Sequence, residues 1–404
     1  MQKTALDRYE GIVIDALKNC SAKLSKSFKT AMTLTLILYM TLPRRINFTQ
    51  MGRHSDCSEQ RFRQLYAREF DWVEFNSALM RRALGDGGRK AIAIDPSYIT
   101  KAGNKTPYIG KFWSGSAGMA KRGLEILGIG IVDVDARDCM MLRAVQTPDK
   151  ETLADKAEDY SLVEWYLDAL KEHLDALLAV TNVLVADAWF SKATFVNPLA
   201  KLGFHLVSRL RDDAALWYSH DGVRTGKRGR PRVKGDRIDF DNLDQSKAEA
   251  LDIEGGRAYA IKAYSKAMRR NIKIVAHYPE AGGRKIYFST DLDMSGRDII
   301  EYYRTRFQIE FCFRDAKQFT GLCHCQARDL TKLDFAFNAS LSAVNVAKVM
   351  RREYYNSLSI GLLKVCLSNL YMLKRFLAVS GLRPNRTLNA KLVKELFGLA
   401  AEAA

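Results

Sequence analysis

No apolar run in the sequence is long enough to cross a bilayer. The longest, Ala31–Leu42, spans about a dozen residues and carries three threonines. The first eighteen residues mix charged and apolar side chains throughout, so no secretory leader is expected. Cysteine is sparse, scattered and odd in number: seven residues, at positions 20, 57, 139, 312, 323, 325 and 366. That pattern argues against a disulfide framework and suits a reducing cytoplasm, the expected location. Cys323-His324-Cys325 crowds three soft ligands together but lacks a second ligand pair at zinc spacing, so local packing is the expected role. No internal repeat is found. The shortage with the widest consequence is of acid. Asp and Glu total 46 against 63 Lys and Arg, a formal net charge of +17. Such an excess attracts polyanions and releases counterions on meeting phosphates, so nucleic acid is the expected partner rather than a membrane or a small molecule.

What is present is the composition of a folded protein, 47% hydrophobic and 27% charged. A chain of 404 residues exceeds one compact core, so two to four domains, or one core with large insertions, are expected. The first ninety or so residues read as helical, with helix-period spacing over Asp7–Leu24 and Ser27–Leu42 and a stop at Pro43. A short helix from Asn47, a turn near Ser55-Asp56 and a helix capped by Ser58 form either a helix-turn-helix or an ordinary helical hairpin. In the first case Arg61 and Arg63 lie where such motifs meet DNA. After Gly85-Asp-Gly-Gly88 the period changes. Ala91–Asp95, Leu124–Val134 and Cys139–Val145 read as strands, Ser161–Val180 as a helix, Val183–Asp187 as a strand, Lys192–Leu202 as a helix and Phe204–Leu210 as a strand. From Arg211 to about Leu292 an antiparallel meander is expected over Arg257–Lys266, Asn271–His277 and Lys285–Thr290. One long helix, capped by Ser295, follows to about Phe319. The rest of the chain reads as helical.

Asp95 and Asp187 each end a buried apolar strand, the edge from which open α/β sheets project functional side chains. Carboxylates there suit hard divalent cations; a turn or helix cap is the structural alternative for either residue. On the long helix, at about 100° per residue and with Tyr303 as zero, Arg306 falls near about −60°, Glu310 near about −20° and Lys317 near about −40°. The four share one narrow stripe. A solvated face with i, i+4 pairing explains Arg306 beside Glu310 but not the accompanying Tyr303 and Lys317. An acid among cationic and phenolic phosphate binders is what a metal-dependent DNA-cleaving site requires.

The spacing Tyr303-x2-Arg306-x3-Glu310-x6-Lys317 resembles the Y-(2)-R-(3)-E-(6)-K signature of the insertion-sequence-four family of bacterial DDE transposases. The resemblance covers about residues 90–320. It implies an α/β fold with a ribonuclease-H-like mixed-sheet core, a β-rich insertion, and helical N- and C-terminal regions. The implied boundaries are a helical DNA-binding region over 1–88, core over 89–211, insertion over 212–292, core with the glutamate helix over 293–329, and a helical region over 330–404. Asp95, Asp187 and Glu310 would be both catalytic residues and ligands of two magnesium ions, with manganese as a substitute. Arg306 and Lys317 would hold phosphates, supported by Tyr303. The implied activity is cleavage of transposon ends and their joining to target DNA, on double-stranded DNA and as a homodimer. A ribonuclease-H-like nuclease without strand transfer and a domesticated DNA-binding protein are the alternatives. The 123 positions from Asp187 to Glu310 resemble family members that carry the insertion. A tryptophan of the insertion stacks a flipped base in some relatives, and Trp217 is the candidate, or else it packs the insertion. Trp189 is expected to shape the site wall.

Two further segments face DNA on this reading. Arg228-Gly-Arg-Pro231, inside the basic run Lys227, Arg228, Arg230, Arg232 and Lys234, looks like an AT-hook for a narrow minor groove; the alternative is a solvated basic loop. The stretch after Asp95 carries Lys101, Lys105, Lys111, a Gly115-Ser-Ala-Gly118 loop, Lys121 and Arg122, and is expected to bring backbone close to phosphate.

Overall fold

The computed structural model describes residues 3–156, 160–220 and 234–380. Five helices open it: α1 (Ala5–Lys18), α2 (Lys26–Thr41), α3 (Phe48–Arg53), α4 (Glu59–Tyr66) and α5 (Trp72–Leu84). Each starts on a side-chain cap: Thr4, Ser25, Asn47, Ser58 and Asp71 accept the orphan amides of the first turns. Thr4 and Asp7 close a reciprocal capping box. The apolar stretch Ala31–Leu42 is a core helix, with Leu36, Leu38 and Met40 fully buried. The helices expected on either side of Ser55 are α3 and α4, and the Ser55 hydroxyl closes the turn on the Met51 carbonyl at 2.7 Å.

A mixed sheet forms the centre of the molecule. Its first strands are β1 (Lys90–Ile99), β2 (Gly110–Ser114), β3 (Met119–Asp133) and β4 (Asp138–Thr147). Then follow α6 (Lys150–Lys156), α7 (Leu162–Lys171), α8 (Leu174–Leu178), β5 (Val183–Val185), α9 (Ala193–Lys201) and β6 (His205–Leu210). Strands β1, β3 and β4 are antiparallel neighbours, while β5 and β6 run parallel to β1, giving the order β4-β3-β1-β5-β6. Beyond β6 come β7 (Leu216–Ser219), β8 (Lys234–Arg237), β9 (Glu249–Leu251), β10 (Gly256–Ser265), β11 (Arg270–Pro279) and β12 (Lys285–Ser289). The meander continues the same sheet, because β12 pairs antiparallel with β6; twelve strands are joined among the described residues. Four helices follow among the described residues: α10 (Gly296–Thr305), α11 (Gln308–Phe319), α12 (Leu330–Tyr354) and α13 (Ile360–Val379). No helix among the described residues is long and apolar enough to cross a membrane.

Several local expectations are corrected. The segment after Asp95 is no open phosphate loop: β2 and β3 form a hairpin around Gly115–Gly118, with Lys111 opposite Arg122 and Phe112 opposite Lys121. The Ser161–Val180 helix breaks at Glu172-His173 into α7 and α8. The helix expected from Ser295 to Phe319 is two helices. At Arg306-Phe307 the backbone stays right-handed, but its bonds tighten to three-residue steps: Arg306 N to the Tyr303 carbonyl at 3.2 Å and Glu310 N to the Phe307 carbonyl at 3.1 Å.

Helix α12 is buried along most of its length, between the N-terminal helices and the sheet. Strand β4 would otherwise be an open edge, and two asparagines seven residues apart on α12 cap its backbone. The Asn338 amide takes the Ala144 N–H at 2.8 Å and donates to the Ala144 carbonyl at 3.0 Å. Asn345 takes the Met141 N–H at 3.1 Å and donates to the Met141 carbonyl at 2.7 Å and to Asn76. Buried amides so paired satisfy an edge that could recruit another strand. One turn on, the buried Lys348 ammonium bonds the Asp138 carboxylate at 2.8 Å and the Cys139 carbonyl at 2.7 Å, and Arg352 holds the second Asp138 oxygen.

Candidate active site

The register of the parallel strands sets the first two acids level. Ala93 stands beside Val185, so Asp95 and Asp187, each two residues further on, leave neighbouring chains at the same height. Asp95 lies within β1, not at its end as expected; pairing with β3 continues to Ile99. The inward run nonetheless stops there, since Asp95 follows five buried positions in the strand. Asp187 caps the turn Ala188–Phe190 by accepting the Trp189 N–H at 2.9 Å. Ser208 on β6 donates to its carbonyl, also at 2.9 Å.

Helix α11 brings the third acid to this edge, and a glycine lets it come close. Gly128 is the residue on β3 opposite Asp95. A Cβ at Gly128 would collide with the Phe313 ring of α11 and with Met141. With hydrogen there, α11 lies against the sheet face that carries Asp95. Arg306, at the break between α10 and α11, bonds Glu310 at 2.8 Å and stands 3.6 Å from Asp95. Lys317, two turns past Glu310, donates to the Ser97 hydroxyl of β1 at 2.9 Å. The Tyr303 ring lies 5.1 Å from that of Tyr287 on the meander, and its hydroxyl sits in the field of Arg306, Arg209 and Asp187. The four stripe residues are thus aimed at one place although their helix is broken.

The electrostatics of this place are unusual. Burial pushes the Asp95 carboxyl up to about 7; Arg306 pulls it down, while Glu310, Asp187 and Glu125 add to the rise. Arg306 is itself three-quarters buried or more by side-chain exposure, yet Asp95 and Glu310 keep its guanidinium charged against the cost of burial. Burial lowers the Lys317 ammonium, opposed by Cys323 and Asp95. Lys192 sits over the Trp189 ring at 3.5 Å; burial lowers its ammonium while Asp187 supports it. Trp189 also meets the Tyr166 and Phe190 rings, consistent with a wall of the site. Glu125 is an acid that periodicity passed over. It is buried on β3 and accepts the Tyr166 hydroxyl at 2.6 Å. Its signal in the chain is a lone carboxylate inside the apolar run from Leu124.

Among the described residues no three His, Cys, Asp or Glu side chains are packed tightly enough to form a ready metal cage. The donor set still fits a hard divalent cation. Asp95, Asp187 and Glu310 all offer oxygen ligands, and a carboxyl that burial, with a smaller push from neighbouring acids, holds near 7 would be stabilised by added positive charge. Arg306 supplies part of that charge.

Other expected DNA contacts lie elsewhere on the fold. Arg61 donates to the Ser27 hydroxyl, and Arg63 pairs with Glu59 while covering the Phe48 ring at 4.9 Å. Lys121 and Arg122 stand exposed on the β2–β3 hairpin, where Arg122 bonds Asn104 at 2.8 Å. On the meander the Lys234 ammonium rests 3.9 Å above the Trp217 ring. Lys227, Arg228, Arg230 and Arg232 lie outside the described residues. His324 uses Nδ1 to accept the Ile46 N–H at 3.1 Å, tying its segment to the α2–α3 connection.

The model of a protein family described as DDE superfamily endonuclease matches residues 21–271, well over half of the chain. The matched segment contains Asp95 and Asp187 and ends before α10, so Glu310 and its escort rest on geometry and spacing. No curated protein matches the chain. The family implies a ribonuclease-H-like core, endonuclease activity on DNA and a divalent metal requirement; the mixed sheet agrees with that core.

Proposed function

We propose that this chain, which belongs to the DDE superfamily endonucleases, is a transposase of the insertion-sequence-four type that cuts transposon ends and joins them to target DNA. The observation that carries the reading is the convergence of Glu310, Arg306, Tyr303 and Lys317 on the edge that bears Asp95 and Asp187. Four residues at the signature spacing lie near two aspartates that fall inside the family-matched segment, although their helix is interrupted.

Asp95, Asp187 and Glu310 would hold magnesium, which supplies charge to activate an attacking oxygen and to stabilise the leaving one. The chain's own residues prepare the place. Arg306 offsets the repulsion between Asp95 and Glu310, and its guanidinium would also be able to donate to a phosphate oxygen. Lys317, anchored on Ser97, offers its remaining N–H donors to the backbone beside the scissile bond. Tyr303 fills the side toward the meander. The basic run 227–234 adds non-specific affinity, and replacing its cations by Gln should flatten the salt dependence of binding.

The decisive experiment incubates the full chain with DNA carrying the element's own ends, target plasmid and magnesium. Cleavage followed by joining is expected. Asp95→Asn, Asp187→Asn and Glu310→Gln should each abolish both steps while leaving end binding largely intact. Cutting without joining makes the chain a nuclease, and wild-type cutting by one of these variants removes that residue from the triad.

A further inference from the structure

Beside the site, between α3, the segment after β1 and the segment after α11, lies a cavity of about 1080 Å³. Its rim gathers positive charge: Arg45 from the α2–α3 connection, Lys101 after β1, and Arg328 and Lys332 at the start of α12. Arg45 and Arg328 are exposed and form no hydrogen bond or ion pair among the described residues. Lys101 spends two of its three donors on the Cys325 and Ala327 carbonyls, at 2.6 and 3.1 Å, which fixes one wall to the other. Burial lowers the Lys101 ammonium, and Arg328 and Arg45 push the same way. The one acid on the rim, Asp329, is engaged at the N-cap of α12, where it accepts the Lys332 N–H at 3.0 Å. Cations outnumber the single acid around the recess, so it is a place that an anion would stabilise.

The recess lies alongside the end of β1 that carries Asp95. Thr100 and Cys323 line it; Thr100 directly follows β1, and Cys323 lies close enough to Lys317 to influence its charge. Phe48 also lines it, with the Arg63 guanidinium over its ring at 4.9 Å, so a further cation stands at the recess. A recess of about 1080 Å³ has room for a short run of unpaired nucleotides.

We propose that this cavity is a strand-binding subsite that takes the phosphodiester backbone of one unpaired DNA strand leaving the catalytic acids, with phosphates on Arg45, Arg328 and the free donor of Lys101. The inference rests on the DNA-cutting reading only for the choice of polyanion. The test uses the full chain without metal and compares a blunt duplex with the same duplex carrying a tail of about six unpaired thymidines on either strand. Affinity is measured by fluorescence anisotropy across a salt series. The wild-type chain should prefer the tailed end. The Arg45→Gln/Arg328→Gln variant should lose that preference and flatten the log–log salt slope on tailed DNA by about 1.4, at about 0.7 per phosphate contact on single strands. Its slope on blunt duplex should be unchanged. No wild-type preference for the tail, an unaltered slope on tailed DNA, or an equal loss on blunt duplex each overturns the proposal. Cleavage is not read here, so a chain that binds the tail yet never cuts DNA refutes the transposase reading and leaves this one standing.

Discussion

The guanidinium of Arg306 stands 3.6 Å from Asp95 while bonding Glu310 at 2.8 Å. One cation therefore links a carboxylate of the central strand to a carboxylate of the covering helix. It does not fully offset the burial of Asp95, which still titrates at about 7. The site is built with less positive charge than its acids call for, as a site completed by a divalent cation would be.

Arg306→Ala should reduce metal-dependent DNA cleavage by on the order of a hundredfold or more, since the variant removes both the counter-charge and a phosphate donor. Arg306→Lys should fall between, because an ammonium is a point charge and does not span both carboxylates as a planar guanidinium does. In a pH–rate profile the rising limb of Arg306→Ala should move to higher pH. Equal activity of the alanine and lysine variants would contradict the bridging role.

The Asp95 carboxyl titrates at about 7 when folded and at its ordinary value near 3.8 when unfolded. Below 3.8 it is neutral in both states. Between these values only the unfolded chain is ionised, so stability is lost as pH rises through the window, by an upper bound of about 4 kcal/mol. Metal-free Asp95→Asn should therefore melt above the wild type at pH 8, with a gap that shrinks toward pH 4.5. A gap independent of pH would count against the raised carboxyl.

Divalent cations should act in the opposite sense. Magnesium or manganese should raise the melting temperature of the wild type more at pH 8 than at pH 5.5, where protons compete for Asp95. Asp95→Asn should respond weakly at both. An equal response at the two pH values would remove Asp95 from the ligand set.

Asn345→Leu removes the side-chain partner of the Met141 N–H and carbonyl on a buried edge and the donor to the Asn76 amide oxygen. A cost of about 3 kcal/mol is expected from such unsatisfied groups, read as a lower midpoint in urea. An unchanged midpoint would show that the edge is satisfied in some other way.

Lys348→Met leaves the Asp138 carboxylate with the partly exposed Arg352 as its one remaining cation beside the Cys139 N–H, a loss of about 3–5 kcal/mol for a broken buried pair. The double variant with Asp138→Asn should recover much of it. If the double variant is no more stable than the single one, the loss is packing and not charge.

Much of this could be read from the chain because the signals are local. Helix caps at Asn47 and Ser58, the apolar run before Asp95, and the i, i+3, i+7, i+14 positions of Tyr303, Arg306, Glu310 and Lys317 each lie within a few turns or one strand. The failures are equally specific. The break at Arg306-Phe307 left no glycine or proline to betray it, and the β2–β3 hairpin read as a loop because β2 spans only five residues and the facing start of β3 is exposed and basic. Glu125 was hidden by the very run that made its strand visible.

By itself, the sequence determined where most helices and strands lie and which acid shares a stripe with Tyr303, Arg306 and Lys317, since periodicity, capping and spacing are properties of neighbours along the chain. Only the tertiary structure decided that Ala93 aligns with Val185 and so levels the two aspartates, that Gly128 admits α11 to the sheet, that Arg306 serves two acids at once, and that α12 closes the β4 edge with Asn338 and Asn345. These are relations between remote residues. They exist only once burial has brought the elements together, and no pattern within one element encodes them.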